Sequence, residues 1–318
     1  MRRFPGNICA LVTILSFFAV PFSSVASSDP RLLTLVPPDA QIVAGIDSPP
    51  PKGQAGSFVL VTQDNTADLE DFFALTGVDS SRIVQHAVFV SIDDNTGHLD
   101  EHSLLVSGHF DQARIFKSAA DGGANITHYP GIPVAEIQPF ARERGAFSDV
   151  RWLAILDSDV LVFGTIPTVL RELDRHLTGR VADPSLLRKL ARMHRDDETW
   201  CLLSAPARND QIRNRLAALD SNLAKLAGSG DAFQFGIRYR RQVEFEYEVT
   251  TGSATATRTI SASLMQSLAG SQKGSSFLSY GDTTDGEKTV RGVVKIPPDR
   301  FGTWLEKAHG SGGSSVSP

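Results

Sequence analysis

The sequence predicts an α+β fold, and three observations carry that prediction. Strand-length apolar runs alternate with helix-length amphipathic runs along the chain, hairpin-type turn signals separate many of the strands, and one order of elements recurs. Residues 58–121 and 199–269 both read strand, helix, strand, strand, helix. The recurrence predicts tandem ferredoxin-like βαββα units, as a duplication would leave them, with antiparallel sheets and helices packed on one face.

The elements follow in chain order. Residues 1–26 form a signal peptide: Arg2 and Arg3, an apolar run from Ile8 to Val20, then small residues at Ser24 and Ala26 that place cleavage after Ala26. Residues 27–57 hold a short strand at Ile42–Ile46 and a Pro-rich loop. The first lobe, 58–180, opens with the strand FVLVT and a helix carrying Leu69, Phe72 and Phe73, which Gly77 stops. Two strands, IVQHAVFVSIDD and HSLLVSGHF, flank the turn Asn95-Thr96-Gly97. A helix capped by Asp111 turns Ile115, Phe116 and Ala119 inward. A strand pair surrounds Tyr129-Pro130-Gly131, and a second pair, RWLAIL and VLVFGT, turns at Asp157-Ser158-Asp159. The lobe closes with a helix whose stripe is Val169, Leu170, Leu173 and Leu177.

Residues 181–198 form a linking helix. Asp183 caps it, Pro184 suits its first turn, and Leu186, Leu187, Leu190 and Met193 face inward. The second lobe, 199–309, begins with the strand TWCLLS and a helix from Gln211 to Ala227 carrying Ile212, Leu216, Leu219, Leu223 and Leu226. Strict alternation follows: Phe233, Phe235, Ile237 and Tyr239, then Val243, Phe245, Tyr247 and Val249. Such alternation predicts a sheet dry on one face and wet on the other. Residues 254–270 space Ile260, Leu264 and Leu268 four apart, which predicts a helix despite their β-branched content. A hairpin about Asp285-Gly286 and a last helix complete the lobe, and the Gly/Ser-rich tail 310–318 is expected to be disordered.

The segments VPPDAQIVAGID and VRWLAILDSDVLVFGTIPTVLRELDRHL, a buried hairpin running into a helix, resemble predicted secreted proteins found in acidobacteria. The resemblance spans most of the mature chain as a pattern. It implies export and the repeated α+β layout, and it brings no catalytic residues with it.

Composition narrows the function classes. Removing Arg2 and Arg3 from 31 basic residues leaves 29 against 36 acidic ones, a net charge of −7, so there is no nucleic-acid footprint. The basic clusters RYRRQ and LLRKLARMHRDD read as solvated faces. The apolar run of the leader is shorter than the roughly 20 residues a span needs, and the mature chain holds no second run that would anchor it. Loss of Cys9 with the leader leaves only Cys201, which excludes an intramolecular disulfide; its setting TWCLLS predicts a core thiol.

One motif suggests chemistry. His98-Leu99-Asp100-Glu101-His102 matches the H-x-x-E-H spelling of inverzincin metalloproteases, which works on a helix because residues four apart share a face. Here it follows a hairpin turn and runs into a strand, where His98 and His102 would stand roughly 13 Å apart, too far to share an ion. Glu172, on the later helix, is available in sequence as a third ligand but would not bring the histidines together. Strand geometry leaves one alternative, in which His98, Asp100 and His102 alternate onto one face and hold a metal with a further donor, in an exported metal-assisted hydrolase. His109 reads as support for the strand-to-helix turn.

The expectation is therefore an exported, non-enzymatic protein, secreted or periplasmic after cleavage, with no cofactor. Its role would be binding or scaffolding in the bacterial cell envelope, its partner an envelope protein, glycan or lipid. The candidate surface is the wet sheet face, where Arg238 and Arg240 oppose Glu244, Glu246 and Glu248.

Overall fold

A computed structural model describes residues 29–46, 84–92, 101–138, 150–193, 197–204, 221–271, 288–298 and 301, with 213 and 217. The strand 58–62, the helix ending at Gly77, the turn 95–97, His98, Asp100, the first half of the 211–227 helix and the Asp285-Gly286 turn lie outside these residues, as do nearly all of the last helix and the tail.

The strands are β1 (Ile42–Ile46), β2 (Val84–Ile92), β3 (Glu101–Gly108), β4 (Asn125–Tyr129), β5 (Ile132–Ile137), β6 (Arg151–Leu156), β7 (Val160–Thr165), β8 (Thr199–Ser204), β9 (Ala232–Tyr239), β10 (Val243–Thr250) and β11 (Thr289–Ile296). The helices are α1 (Pro30–Leu35), α2 (Gln112–Asp121), α3 (Ile166–Leu177), α4 (Pro184–Leu190), α5 (Ser221–Ser229) and α6 (Ala254–Ser271). All the strands join one sheet in the order β11-β10-β9-β8-β1-β2-β3-β7-β6-β5-β4, and every adjacent pair is antiparallel.

The protein is thus α+β with a large antiparallel sheet, but three finer expectations change. First, the two lobes share the sheet. β1 lies in its middle, hydrogen-bonded to β2 of one lobe and β8 of the other. Second, α5 joins β8 to its immediate neighbour β9, and β8 to β11 run in simple succession. A ferredoxin-like unit leaves a place for a third strand between the two that its helix connects, so the second lobe does not have that strand order.

Third, helices pack on both faces. Period-2 alternation sends Phe89, Leu104, Leu153, Phe163, Cys201 and Phe235 to one face, where they meet α2, α5 and α6 through Ile115, Ala227 and Ile260. The intervening Val88, Leu105, Ala154, Val162 and Trp200 meet α1, α3 and α4 through Leu33, Val169 and Leu190. The near-continuous apolar runs of β6 and β7 are what a strand buried on both sides requires. Cys201 is a fully buried free thiol of the first of these cores.

Local signals explain the helix ends. Asp111 accepts a hydrogen bond from the Arg114 amide at 3.0 Å, and Asp183 accepts from the Ser185 and Leu186 amides. The β6–β7 turn holds Asp157 and Ser158 at φ 50° and 61°, in the region where aspartate is tolerated, while Asp159 leaves the turn to pair with Arg31 of α1. The acidic pair of the sequence is accordingly a turn plus a tether. On α3 the stripe is shorter than expected: Val169 and Leu173 are buried, but Leu177, the final helical residue, is exposed.

Gly164 sits where β7 pairs with β3. A Cβ there would fall on the His102 carbonyl oxygen and 2.6 Å from Ser103 Cα, and backbone cannot step aside as a side-chain tip could. Gly164→Ala is therefore expected to cost about 3 kcal/mol or more, read as a lowered urea midpoint.

Candidate functional site

Strands β9 to β11 turn the expected dry residues, Phe233, Phe235, Ile237, Val243, Phe245, Tyr247 and Val249, into the apolar core. The opposite face corrects the expectation of a wet surface: Gln234, Arg238 and Glu248 are all under 10% exposed. Charge pairing makes that burial possible. Arg238 Nη2 lies 3.2 Å from Glu244 Oε2 and 3.3 Å from Glu246 Oε2, and its Nε lies 3.6 Å from Asp197 Oδ1. Lys295 Nζ reaches Glu244 Oε1 at 3.4 Å. Glu248 is held from both sides, by Arg192 Nη1 at 3.1 Å and by Arg291 Nε.

Each member has a structural reason to be there. Register places Glu244, Glu246 and Glu248 two apart on β10, opposite Arg238, Gly236 and Gln234 of β9 and Lys295, Val293 and Arg291 of β11. Gly236 is required because the Asp197 carboxylate occupies the space a side chain would fill. Arg192 comes from the turn after α4, and its side chain reaches this face. The solvated reading of RYRRQ fails at Arg238, which is the centre of a buried network, while the basic run after α4 supplies Arg192 at its edge.

The network is graded. Asp197, Arg238 and Glu248 are interior; Glu244 and Glu246 are partly covered; Arg291, Lys295 and Arg192 form a rim 35%, 47% and 49% exposed. Among the described residues, Asp197, Glu244, Glu246 and Glu248 meet Arg238, Arg291, Lys295 and Arg192. Arg192 and Met193 face the strands across a narrow cleft, lined among others by Gln234, Glu246, Glu248 and Arg291. Such a surface is suited to binding a charged group by hydrogen bonds.

The residues of the H-x-x-E-H segment are placed differently. Glu101 and His102 are on strand β3, as the turn signal before them predicts, while His98 and Asp100 lie outside the described residues. His102 is turned inward, 8% exposed, with its ring stacked on Phe89 at 5.8 Å. No group of three His, Cys, Asp or Glu that could hold a metal occurs among the described residues. Glu172 does reach this strand, but on the other face: it accepts a hydrogen bond from Ser103, the neighbour of His102.

Glu172 is fully buried on α3, and burial pushes its carboxyl up to about 8, with the Ser103 hydrogen bond opposing the shift only in part. In the sequence, residue 172 stands out only as a remote ligand. Its position three after Val169 and one before Leu173 puts it inside the apolar stripe, and that spacing was the signal for its burial. Burial likewise holds the Cys201 thiol well above its ordinary value, which suits a core residue and not a nucleophile. No described helix is long and apolar enough to cross a membrane.

No family model matches the chain, and no curated protein is significantly similar to it. Among solved structures it is similar to one described as "Structure of crystal form I of TP0453", at 13% identity and a TM-score of 0.48, over 89% of this chain and 99% of that one.

Proposed function

We propose that the chain is an exported, non-enzymatic binding or scaffolding protein of the bacterial cell envelope, and that its partner docks on the charged face of β9 to β11. The observation that supports this is the division of one sheet face. Helices α1, α3 and α4 cover it over the first lobe and β8, whereas over β9 to β11 the described residues place an ion network with a cationic rim. The rim cations pair with the carboxylates beneath them and yet stay a third to a half exposed, which leaves them open to a partner as well. The partner is an envelope protein, glycan or lipid that presents acidic groups to Arg192, Arg291 and Lys295. Export runs through the leader 1–26, with cleavage near Ala26 giving a secreted or periplasmic protein of the acidobacterial secreted kind that it resembles.

The test is retention of envelope components by immobilised mature protein. Wild type is expected to retain a defined set that is released by salt, and an Arg192→Glu, Arg291→Glu, Lys295→Glu variant is expected to lose it. Identical retention by both would remove this face from the binding surface, and no retention by wild type would remove the binding role itself.

A further inference from the structure

Arg192 and Arg291 stand on the two oxygens of a single carboxylate. Arg192 donates from Nη1 to Glu248 Oε1, and Arg291 donates from Nε to Oε2. Glu248 is one of the least exposed members of the network, and it holds both guanidiniums side by side at the mouth of the cleft. One carboxylate neutralises only one of the two charges. Among the described residues no other acceptor engages either side chain, which leaves Nε and Nη2 of Arg192 and both Nη groups of Arg291 as donors.

We propose that this cleft binds a small oxyanionic group, carboxylate or phosphate, clamped between Arg192 and Arg291 above Glu248. The proposal rests on the binding-protein reading and names the ligand chemistry of the same face. Planar guanidiniums present paired N–H donors that match the oxygen spacing of carboxylate and phosphate, and two of them converging on one point give more than a single surface cation can. Glu248 preorganises the clamp, so less side-chain freedom is lost when the anion arrives. The inner group sets the depth. Glu246 lines the cleft beneath the two guanidiniums, and its carboxylate keeps the anion at the lip.

The experiment is calorimetric titration of the mature protein with sodium phosphate and, separately, sodium acetate at low ionic strength. Wild type is expected to bind at least one of them saturably. Arg192→Gln and Arg291→Gln are each expected to weaken that binding tenfold or more, while Lys117→Gln, on the exposed surface of α2, leaves it unchanged. Phosphate alone binding identifies a phosphoryl ligand, acetate alone a carboxylate, and both the shared oxyanion chemistry. If a Gln variant fails to fold by circular dichroism, Arg→Lys at that position keeps the charge but removes the fork, and is expected to weaken binding as well. Absence of saturable binding to wild type with either probe, or unchanged affinity in the folded arginine variants, overturns the proposal. Should that happen while charge reversal at the rim still abolishes retention of envelope components, the anion site falls and the binding role stands. Anion binding without any retention gives the opposite pattern.

Discussion

Replacing Glu172 with glutamine is expected to flatten the dependence of stability on pH between about 5 and 8. The carboxyl is fully buried against Ser103 and titrates near 8 in the folded protein, against 4.5 as its ordinary value. Between those two values the folded state holds a proton that the unfolded state has released. Stability contributed by this group is therefore greatest below about 4.5, declines at about 1.4 kcal/mol per pH unit as pH rises, and levels off above 8. Glutamine keeps the shape and the acceptor for Ser103 but has no proton to lose. Its amide group still has to be buried, so its absolute gain at neutral pH is reduced by about 1 to 3 kcal/mol. The cleaner quantity is the difference between variant and wild type, which is expected to move in favour of the variant by about 3 to 4 kcal/mol from pH 5 to pH 8. Urea midpoints at pH 5, 6.5 and 8 measure it, and parallel profiles would contradict the burial of an acid at this place.

Arg238→Met is expected to be the most damaging single change in the second lobe. It removes the cation shared by Asp197, Glu244 and Glu246, and Asp197 is 1% exposed. Taking one partner from a buried ion pair costs about 3 to 5 kcal/mol, mainly because a charge is left in the interior. Adding Asp197→Asn to the same chain removes that charge, and the double variant is expected to recover most of the loss. Denaturant midpoints of the two single variants and the double variant form the cycle. A single variant as stable as wild type would mean that this face is wet after all.

The contrast between these two sites shows where the sequence was legible. Periodicity and capping identified α2, α3, α4 and the β6–β7 pair because their signals are local: Asp111 and Asp183 cap the amides next to them, and an apolar residue every second position needs no knowledge of the partner strand. Strand order is not local. Nothing in Ile42–Ile46 announces that it will join the two lobes, or that α5 will connect adjacent strands, because both depend on pairings between residues more than a hundred positions apart or across a long connection. The ferredoxin-like expectation came from element order alone, which does not specify sheet order.

The charged face shows the same limit at the level of chemistry. Alternation correctly separated Phe245 and Tyr247 from Glu244, Glu246 and Glu248, but a polar face of one strand is wet only if nothing folds over it. Asp197 and Arg192 arrive from the linking segment and close it, with Gly236 leaving the room. Only the glycine, set among alternating large residues, hinted at a close approach. At His102 the strand context was sufficient to place the residue on β3, yet its stacking on Phe89 depends on the register of β2 against β3, which pairs Phe89 with Leu104 and Ser91 with His102.

The most direct test of the proposed role is a footprint of the rim. Lysines and arginines of the mature protein are modified covalently with and without an envelope extract, and the modified peptides are quantified by mass spectrometry. Lys117, 74% exposed on α2, serves as the internal control. Lys295, Arg192 and Arg291 are expected to react in the isolated protein and to be protected at least several-fold by the extract, with Lys117 unchanged. Equal labelling of the rim in both conditions would contradict a binding role for this face.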